Sequence, residues 1–330
     1  MSMDVSRRHL LAAGLATAAL PMLGARARAQ ANWPNKPIKI IVPYPVGGQT
    51  DLIARTYGDY IGKQLGQPVV VDNKSGASGV VGLTEVKRAP PDGYTLLLTI
   101  GTPLINNVVL FKELPYDPDK DFTLISSIAA QGVALVVADK VPAKNLAEFV
   151  AYAKKAGKVS LGTYGANSAA HIAILELNKQ YGLAIEPVHY RGEAPMWADV
   201  LNQSIDGGLG SYLAAMPVVQ GKRGRVIGAS GRPIKILPDV KTLKEQGATS
   251  KFFEIDVYSG ILAAPAGTPK EIIQKLSDLM VAAGKDQKTQ AALANFPIEL
   301  PLSLEATQAD YKKNATAMRT FLEGMGIPKQ

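Results

Sequence analysis

Two adjacent glycines, Gly47 and Gly48, follow the apolar run IKIIVP and stand close before a Thr-Asp pair. The run predicts a strand, and the periodic apolar residues after Asp51 predict a helix. Glycines at such a junction let backbone N–H groups approach a ligand, and a helix N-terminus attracts carboxylates or phosphates. The alternative is tight packing, with Thr50 or Asp51 as a plain N-cap. The candidate ligand residues here are Tyr44, Val46, Gly47, Gly48, Gln49, Thr50 and Asp51.

A second stretch, LGTYGANSAAHIA at residues 161–173, repeats this chemistry. It also follows a predicted strand and opens a predicted helix. Two facing helix N-termini are well suited to an anion with two charged ends. Ligands of open α/β sheets bind beyond the carboxyl ends of strands, where Thr102 also falls after a third strand. The candidates added here are Thr102, Thr163, Gly165, Ala166, Asn167, Ser168 and Ala169.

Several function classes lack their motifs. The chain has no G-x-G-x-x-G and no Walker lysine, which disfavours nucleotide ligands. It has no G-x-S-x-G elbow, no H-E-x-x-H and no cysteine, so we expect no catalytic residue, no metal and no cofactor. Ser168 and His171 are three residues apart, but capping and packing explain this pair more simply than catalysis. We therefore predict a binding protein, with a periplasmic hydrolase as the least favoured alternative.

The N-terminus has the pattern of an export signal. Arg7 and Arg8 precede an apolar stretch from residue 10 to 23, and cleavage is expected after Ala29 or Ala31. The twin arginine favours twin-arginine export over the general secretory route. Removing this leader, residues 1–31, lowers the net charge from +8 to about +5, because the leader itself carries +3. A modest positive excess suits a small anion and does not indicate nucleic acid, since no basic run with interleaved aromatics occurs.

The elements that would position these loops alternate between strand and helix. Residues 38–100 predict strand, helix, strand, helix, strand, and the same alternation restarts at residue 133. This order indicates an α/β protein with doubly wound, mostly parallel sheets flanked by helices. About 300 residues remain after cleavage, which favours two lobes over one. No later segment has 18 uninterrupted apolar residues.

Seven motifs together resemble one family. They are KPIKIIVPYPVGGQTDLIAR, DNKSGASGVVGLTEV, PPDGYTLLL, LPYDPDKDF, GTYGANSAAHIA, YRGEAP and ILAAPAGTP, in family order over essentially the whole mature chain. The chain is similar to the substrate-binding proteins of tripartite tricarboxylate transporters, the Bug family. The resemblance implies a two-lobe periplasmic binding protein, monomeric, that closes on a small carboxylate and delivers it to a separate membrane permease. An alternative partner is a sensor kinase that reads the loaded protein.

The resemblance also implies how the chain is divided. Lobe 1 would comprise residues 32–132 plus 257–330, and lobe 2 residues 133–256, with the ligand cleft between them. The crossings between lobes are expected near 129–134 and 255–259. By the same resemblance the Gly47–Asp51 loop should hold one carboxylate, and the loop from Thr163 to Ala169 should face it. His171 matches a histidine common in the family, although a buried, satisfied histidine is the alternative.

Departures from the family pattern bear on the ligand. Relatives that bind amino acids often carry an Asp in the stretch where this chain has Gly210 and Ser211. The missing acid disfavours an amino-acid ligand. The glycines at 207, 208 and 210 are expected to leave room for a bulkier or aromatic carboxylate. Arg191 either clamps a second carboxylate or forms a structural ion pair behind the loop. His171, Arg191, Gly210 and Ser211 complete the candidate ligand-binding residues.

Overall fold

The computed structural model describes residues 33–294 and 298–329, so the predicted leader lies outside the described residues. This part of the chain has ten strands. They are β1 (Ile38–Val42), β2 (Val69–Asn73), β3 (Thr95–Thr99), β4 (Phe122–Ala129), β5 (Val133–Ala138), β6 (Val159–Thr163), β7 (Ile185–His189), β8 (Gly207–Gly210), β9 (Gly224–Ser230) and β10 (Tyr258–Pro265).

The helices of the same region flank these strands. They are α1 (Gln49–Leu65), α2 (Val80–Lys87), α3 (Asn107–Leu110), α4 (Pro118–Asp121), α5 (Leu146–Ala156), α6 (Ala169–Tyr181), α7 (Glu193–Leu201), α8 (Tyr212–Gln220), α9 (Lys270–Lys285), α10 (Gln287–Ala292) and α11 (Leu304–Gly324). A π-helical turn covers Thr102–Asn106, and 3-10 turns cover Ala77–Gly79 and Lys251–Glu254. Within the described ranges, no helix is both long and apolar enough to cross a bilayer.

The strands form two sheets with the same arrangement. Their orders are β2-β1-β3-β10-β4 and β7-β6-β8-β5-β9. In each sheet the first three strands pair in parallel, and the fourth is antiparallel to both of its neighbours. Four strands of each sheet therefore run the same way. The predicted α/β class with two mostly parallel sheets is confirmed.

The chain passes between the sheets twice. It leaves the first sheet after β4 and enters the second at β5, and it returns at β10. The two passages touch, because the Ala130 amide donates to the Val257 carbonyl at 2.8 Å. Both passages fall where the crossings were expected. The boundaries of the two lobes themselves stay a prediction.

Burial explains why some strands could be predicted from the sequence. Every residue of β5 and of β10 is buried, as expected for strands covered on both faces. β4 was not predicted, because the buried Ser126 and Ser127 interrupt its apolar pattern. These serines bond to the C-terminal segment instead. The Ser126 hydroxyl donates to the Leu302 carbonyl at 2.7 Å, and the Ser127 amide donates to Thr307 Oγ1 at 2.9 Å.

Helix α1 carries the first glycine loop and is anchored along one face. Ile53, Tyr57 and Ile61 are buried at helical spacing, and they belong to a core cluster shared with β1 and β3. Gly66 ends the helix in a left-handed conformation, with φ of 66°. The N-terminus of α1 is therefore held in a fixed position at the carboxyl end of β1.

Candidate functional site

A cleft lies where the two sheets face each other. It is lined by Tyr44, Pro45, Gly48, Gln49, Thr50, Ile100, Ala130, Gly132, Val133, Tyr164, Gly192, Glu193, Ser211, Val257, Tyr258 and Ser259. These residues come from the first glycine loop, from the end of β3, from Tyr164 of the second loop, from both crossings and from the starts of α7 and α8. The cleft encloses about 580 Å³, including the part that is open to solvent.

A smaller cavity adjoins the cleft. It shares Ile100, Tyr164, Val257 and Tyr258 with the cleft and adds Thr102, Ala169 and residues of the π-helical turn and α11. Five predicted site residues thus line the main cleft: Tyr44, Gly48, Gln49, Thr50 and Ser211. Thr102 and Ala169 line the smaller cavity. The other eleven lie outside both linings: Val46, Gly47, Asp51, Thr163, Gly165, Ala166, Asn167, Ser168, His171, Arg191 and Gly210.

The first glycine loop presents backbone to the cleft. Gly47 has a φ of 87°, which a glycine adopts without strain, and Gly48 is an N-cap that has no side-chain cap bond. The first amides of a helix have no partner inside the helix. Gly48 and Thr50 line the cleft at this point, so the positive end of α1 faces it.

Asp51 shapes this loop from behind. Its carboxylate accepts hydrogen bonds from the Gly47 amide at 3.0 Å, from Arg55 Nη2 at 2.9 Å and from Asn73 Nδ2 at 3.0 Å. Burial alone would raise the pKa of Asp51, but these hydrogen bonds hold the pKa below its ordinary value. Asp51 is 1% exposed and ionised, and its role here is to fix the turn.

The second loop is held mainly by its own side chains. Ser168 caps α6 by accepting from the His171 amide at 3.3 Å, as the capping alternative predicts. His171 Nδ1 accepts from the Asn167 amide at 3.1 Å, and its ring packs edge-on against His189 at 4.5 Å. Burial, with a contribution from His189, lowers the pKa of His171 to about 4. His171 is therefore the buried, neutral and satisfied histidine of the alternative interpretation.

Backbone carbonyls of the second loop contact the first sheet's side of the molecule. The Ser78 hydroxyl donates to the Ala166 carbonyl at 2.9 Å, and Asn106 Nδ2 donates to the Asn167 carbonyl at 2.6 Å. A Cβ on Gly192 would come within 2.6 Å of Pro45 Cδ, so the two sides also approach closely there. Loop 163–169 thus contributes to contact between the two halves, and Tyr164 and Ala169 bring it to the cavities.

Glu193 was missed by the sequence reasoning. It begins α7, lines the cleft and accepts hydrogen bonds from the Ser211 amide and, at 2.6 Å, from the Ser211 hydroxyl. Burial raises the pKa of Glu193, and the Ser211 donors and the nearby Gln49 amide oppose that rise. An acid at the start of a helix is common on charge grounds alone, so nothing in YRGEAP marked it as a cleft residue. The cleft therefore holds an acid that the expectation against an amino-acid ligand, which rests on the missing Asp at positions 210 and 211, does not consider.

The expectation about the three glycines is also wrong. A Cβ on Gly210 would lie 2.8 Å from Glu193 Oε1 and 2.9 Å from Trp197 Cζ2. A Cβ on Gly207 would lie 2.4 Å from the Val136 carbonyl oxygen of the neighbouring strand. Protein atoms already fill the space next to these glycines. Their small size lets neighbouring side chains and backbone pack closely, and it does not make room for a bulkier ligand.

A family model described as "Tripartite tricarboxylate transporter family receptor" matches residues 53–317. The chain belongs to this family. The UPF0065 protein of the gbd 5′ region of Cupriavidus necator is 34% identical over 337 residues, covering 98% of this chain and 99% of that protein. As a member of this receptor family the chain is a solute-binding protein and not an enzyme.

Solved structures of periplasmic binding proteins have the same fold as this family receptor. BugD is 28% identical with a TM-score of 0.83, covering 90% of this chain and all of BugD. An R. palustris protein with adipate is 25% identical with a TM-score of 0.84, over 90% of this chain and all of that one. MatC from Rhodopseudomonas palustris with bound malate is 26% identical with a TM-score of 0.81, over 88% of this chain and all of MatC. The resemblance to the Bug family is confirmed.

Tyr164 lies at the centre of the site, whereas Arg191 lies outside it. Tyr164 lines both cavities and was not predicted, because an aromatic residue inside a glycine loop gives no signal of its orientation. Burial, together with the nearby Glu193, raises the pKa of its hydroxyl. Arg191 is exposed and lies outside both linings, which leaves its predicted clamp untested. Across residues 33–294 and 298–329, no cluster of three or more possible metal ligands is found.

Proposed function

We propose that this receptor captures a small organic carboxylate, a di- or tricarboxylate or an aromatic carboxylate, in the cleft between its two halves. The observation that carries the proposal is the N-terminus of α1, where Gly48 and Thr50 line the cleft. Amides at a helix N-terminus are well suited to bind a carboxylate. The similarity to proteins solved with adipate and with malate supports the same ligand class.

Binding would work by closure. We propose that residues 32–132 with 257–330, and residues 133–256, are lobes that rotate about the two crossings. A ligand touching both the Gly48–Thr50 side and the Ser211 side would bind the closed form more tightly than the open form. That difference in affinity is what shifts the equilibrium toward closure.

We further propose that the chain acts in the periplasm as a monomer and hands its ligand to membrane permease subunits of a tripartite tricarboxylate transporter. The family description and the predicted export leader at residues 1–31 support this placement. Uptake of the labelled ligand by cells with and without this chain tests the delivery step. Uptake that is unchanged when the chain is deleted would contradict it.

A thermal-shift screen tests the binding step. The panel should contain mono-, di- and tricarboxylates, aromatic acids and amino acids. A ligand at about 100 times its Kd adds about 2.7 kcal/mol to the free energy of unfolding, which corresponds to a shift of several degrees. We expect such a shift with at least one carboxylate. A panel in which no carboxylate raises the melting temperature would contradict the proposed function.

A further inference from the structure

The charge of the ionisable side chains that line the cleft is unexpected for a site that binds a carboxylate. Among the described residues that line it, Glu193 is acidic, and none is a lysine, an arginine or a histidine. A ligand carboxylate placed against an ionised Glu193 would be repelled, and at close range in a protein interior this repulsion is large. The ligand group that meets Glu193 must therefore differ from the group that meets the α1 amides.

The hydrogen bonds of Glu193 show which acceptor positions of its carboxyl are used. One carboxyl oxygen accepts from the Ser211 amide, and the other accepts from the Ser211 hydroxyl at 2.6 Å. Donors directed at a carboxyl favour its ionised, acceptor-only form, but burial outweighs them here and raises the pKa of Glu193. A carboxylate has about four acceptor positions, so these two bonds leave room for another donor. A donor from the ligand would therefore stabilise the ionised form against the effect of burial.

The surroundings of Glu193 hold its carboxylate in place. Gly210 and Trp197 lie beside it, and any side chain at Gly210 would collide with Oε1 at 2.8 Å. Ser211 is fixed as the N-cap of α8, where its hydroxyl also accepts from the Ala214 amide at 3.3 Å. The acceptor is thus positioned by the fold and not by the ligand.

We propose that Glu193 is a specificity-determining residue that selects carboxylates bearing a second, hydrogen-bond-donating group, an ammonium or a hydroxyl. The ligand carboxylate meets the α1 amides at Gly48 and Thr50, and its donor group meets the Glu193 carboxylate. The inference rests on the proposed function, since it assigns the ligand's second contact in the same cleft.

Matched acids test this selection by isothermal titration calorimetry. Suitable sets differ at carbon 2 alone: succinate, malate and aspartate; glutarate, 2-hydroxyglutarate and glutamate; phenylacetate, mandelate and phenylglycine. In at least one set, we expect the hydroxy or amino acid to bind about 10- to 100-fold more tightly than the plain acid, as for a hydrogen bond to a charged group. Which of the two binds more tightly identifies the donor as hydroxyl or ammonium.

Two variants locate the effect. Glu193→Gln replaces the charged acceptor at nearly constant shape and should reduce the preference to within about threefold. Glu186→Gln makes the same change at a half-exposed glutamate of β7, which pairs with Lys158, and should leave the preference intact. Preference that survives Glu193→Gln would overturn the proposal.

Proton linkage gives a readout on the native protein, so the test does not depend on the variant folding. Titrations in buffers of different ionisation enthalpy should show no proton uptake when a donor-bearing acid binds. If plain acids bind most tightly and their binding takes up about one proton, then a protonated Glu193 meets a ligand carboxylate. That result would overturn the inference. If plain and donor-bearing acids bind equally tightly, the inference about Glu193 is overturned and the proposed function stands. If no acid binds, both the inference and the proposed function are overturned.

Discussion

The most informative perturbation of the cleft is Gly48→Val. Gly48 has φ of −76° and ψ of 166°, a conformation that any residue adopts. A Cβ there would meet nothing closer than the Pro45 carbonyl oxygen at 3.8 Å. The fold therefore accepts a side chain at this position, and that side chain occupies cleft space.

The structure separates the expected effects on folding and on binding. Gly48 is an N-cap without a side-chain bond, so replacing it should cost less than about 1 kcal/mol of folding free energy. Valine would keep a ligand carboxylate away from the adjacent amides. Hydrogen bonds to charged groups contribute about 1.5–3 kcal/mol each, so losing two of them predicts at least about 100-fold weaker binding.

The assay is calorimetric titration of the best carboxylate from the screen, with the melting temperature as a check on folding. Gly66→Ala is the matched control. Its φ of 66° makes alanine strained by about 1–2 kcal/mol, and Gly66 ends α1 at the opposite end from the cleft. This control should melt at a lower temperature and bind normally. A folded Gly48→Val protein with unchanged affinity would refute the reasoning.

Three further predictions follow from single contacts. Gly210→Ala should lower the free energy of unfolding by about 1–3 kcal/mol through overpacking against Glu193, and an unchanged urea midpoint would count against it. Burial lowers the pKa of His171 to about 4 in the folded protein, so on acidification this histidine is protonated in the unfolded chain before it is protonated in the folded one. The free energy of unfolding should therefore have its full value above about pH 6.5 and fall by about 2 kcal/mol toward pH 4. His171→Asn keeps an acceptor for the Asn167 amide and should flatten that fall in pH-dependent melts, whereas an equally steep profile would contradict the assignment. Ser78→Ala removes a bond between the two halves and should weaken ligand affinity about 2- to 10-fold; an affinity equal to wild type would show that this contact does not favour closure.

The parts of the fold that could be predicted are those whose signal is local. The fully buried strand β5 is a continuous apolar run, and it begins at residue 133, where the second alternation of strands and helices was predicted to restart. Helix α1 carries the periodic apolar residues after Asp51 from which it was predicted, and Gly66 ends it. β4 could not be recognised, because its two buried serines find partners about 175 residues along the chain, in the segment before α11 and in α11 itself.

The candidate site shows the same limit. Residues 48–50 were predicted because strand, glycines and helix start are contiguous in the sequence. The role of Glu193 depends on Ser211, 18 residues away, and on Gln49 in the other half of the molecule. The second loop was chosen for its polar side chains, but Ser168 and His171 bond within the loop. Composition indicates which groups are available, and only the fold decides the direction in which they point.

A crystal structure with the carboxylate that raises the melting temperature most would locate the ligand directly. We expect a ligand carboxylate oxygen within about 3.2 Å of the Gly48 or Thr50 amide nitrogen, directly or through one water molecule, with the rest of the ligand reaching Ser211 and Glu193. A ligand bound elsewhere, with no contact to the α1 N-terminus, would contradict it.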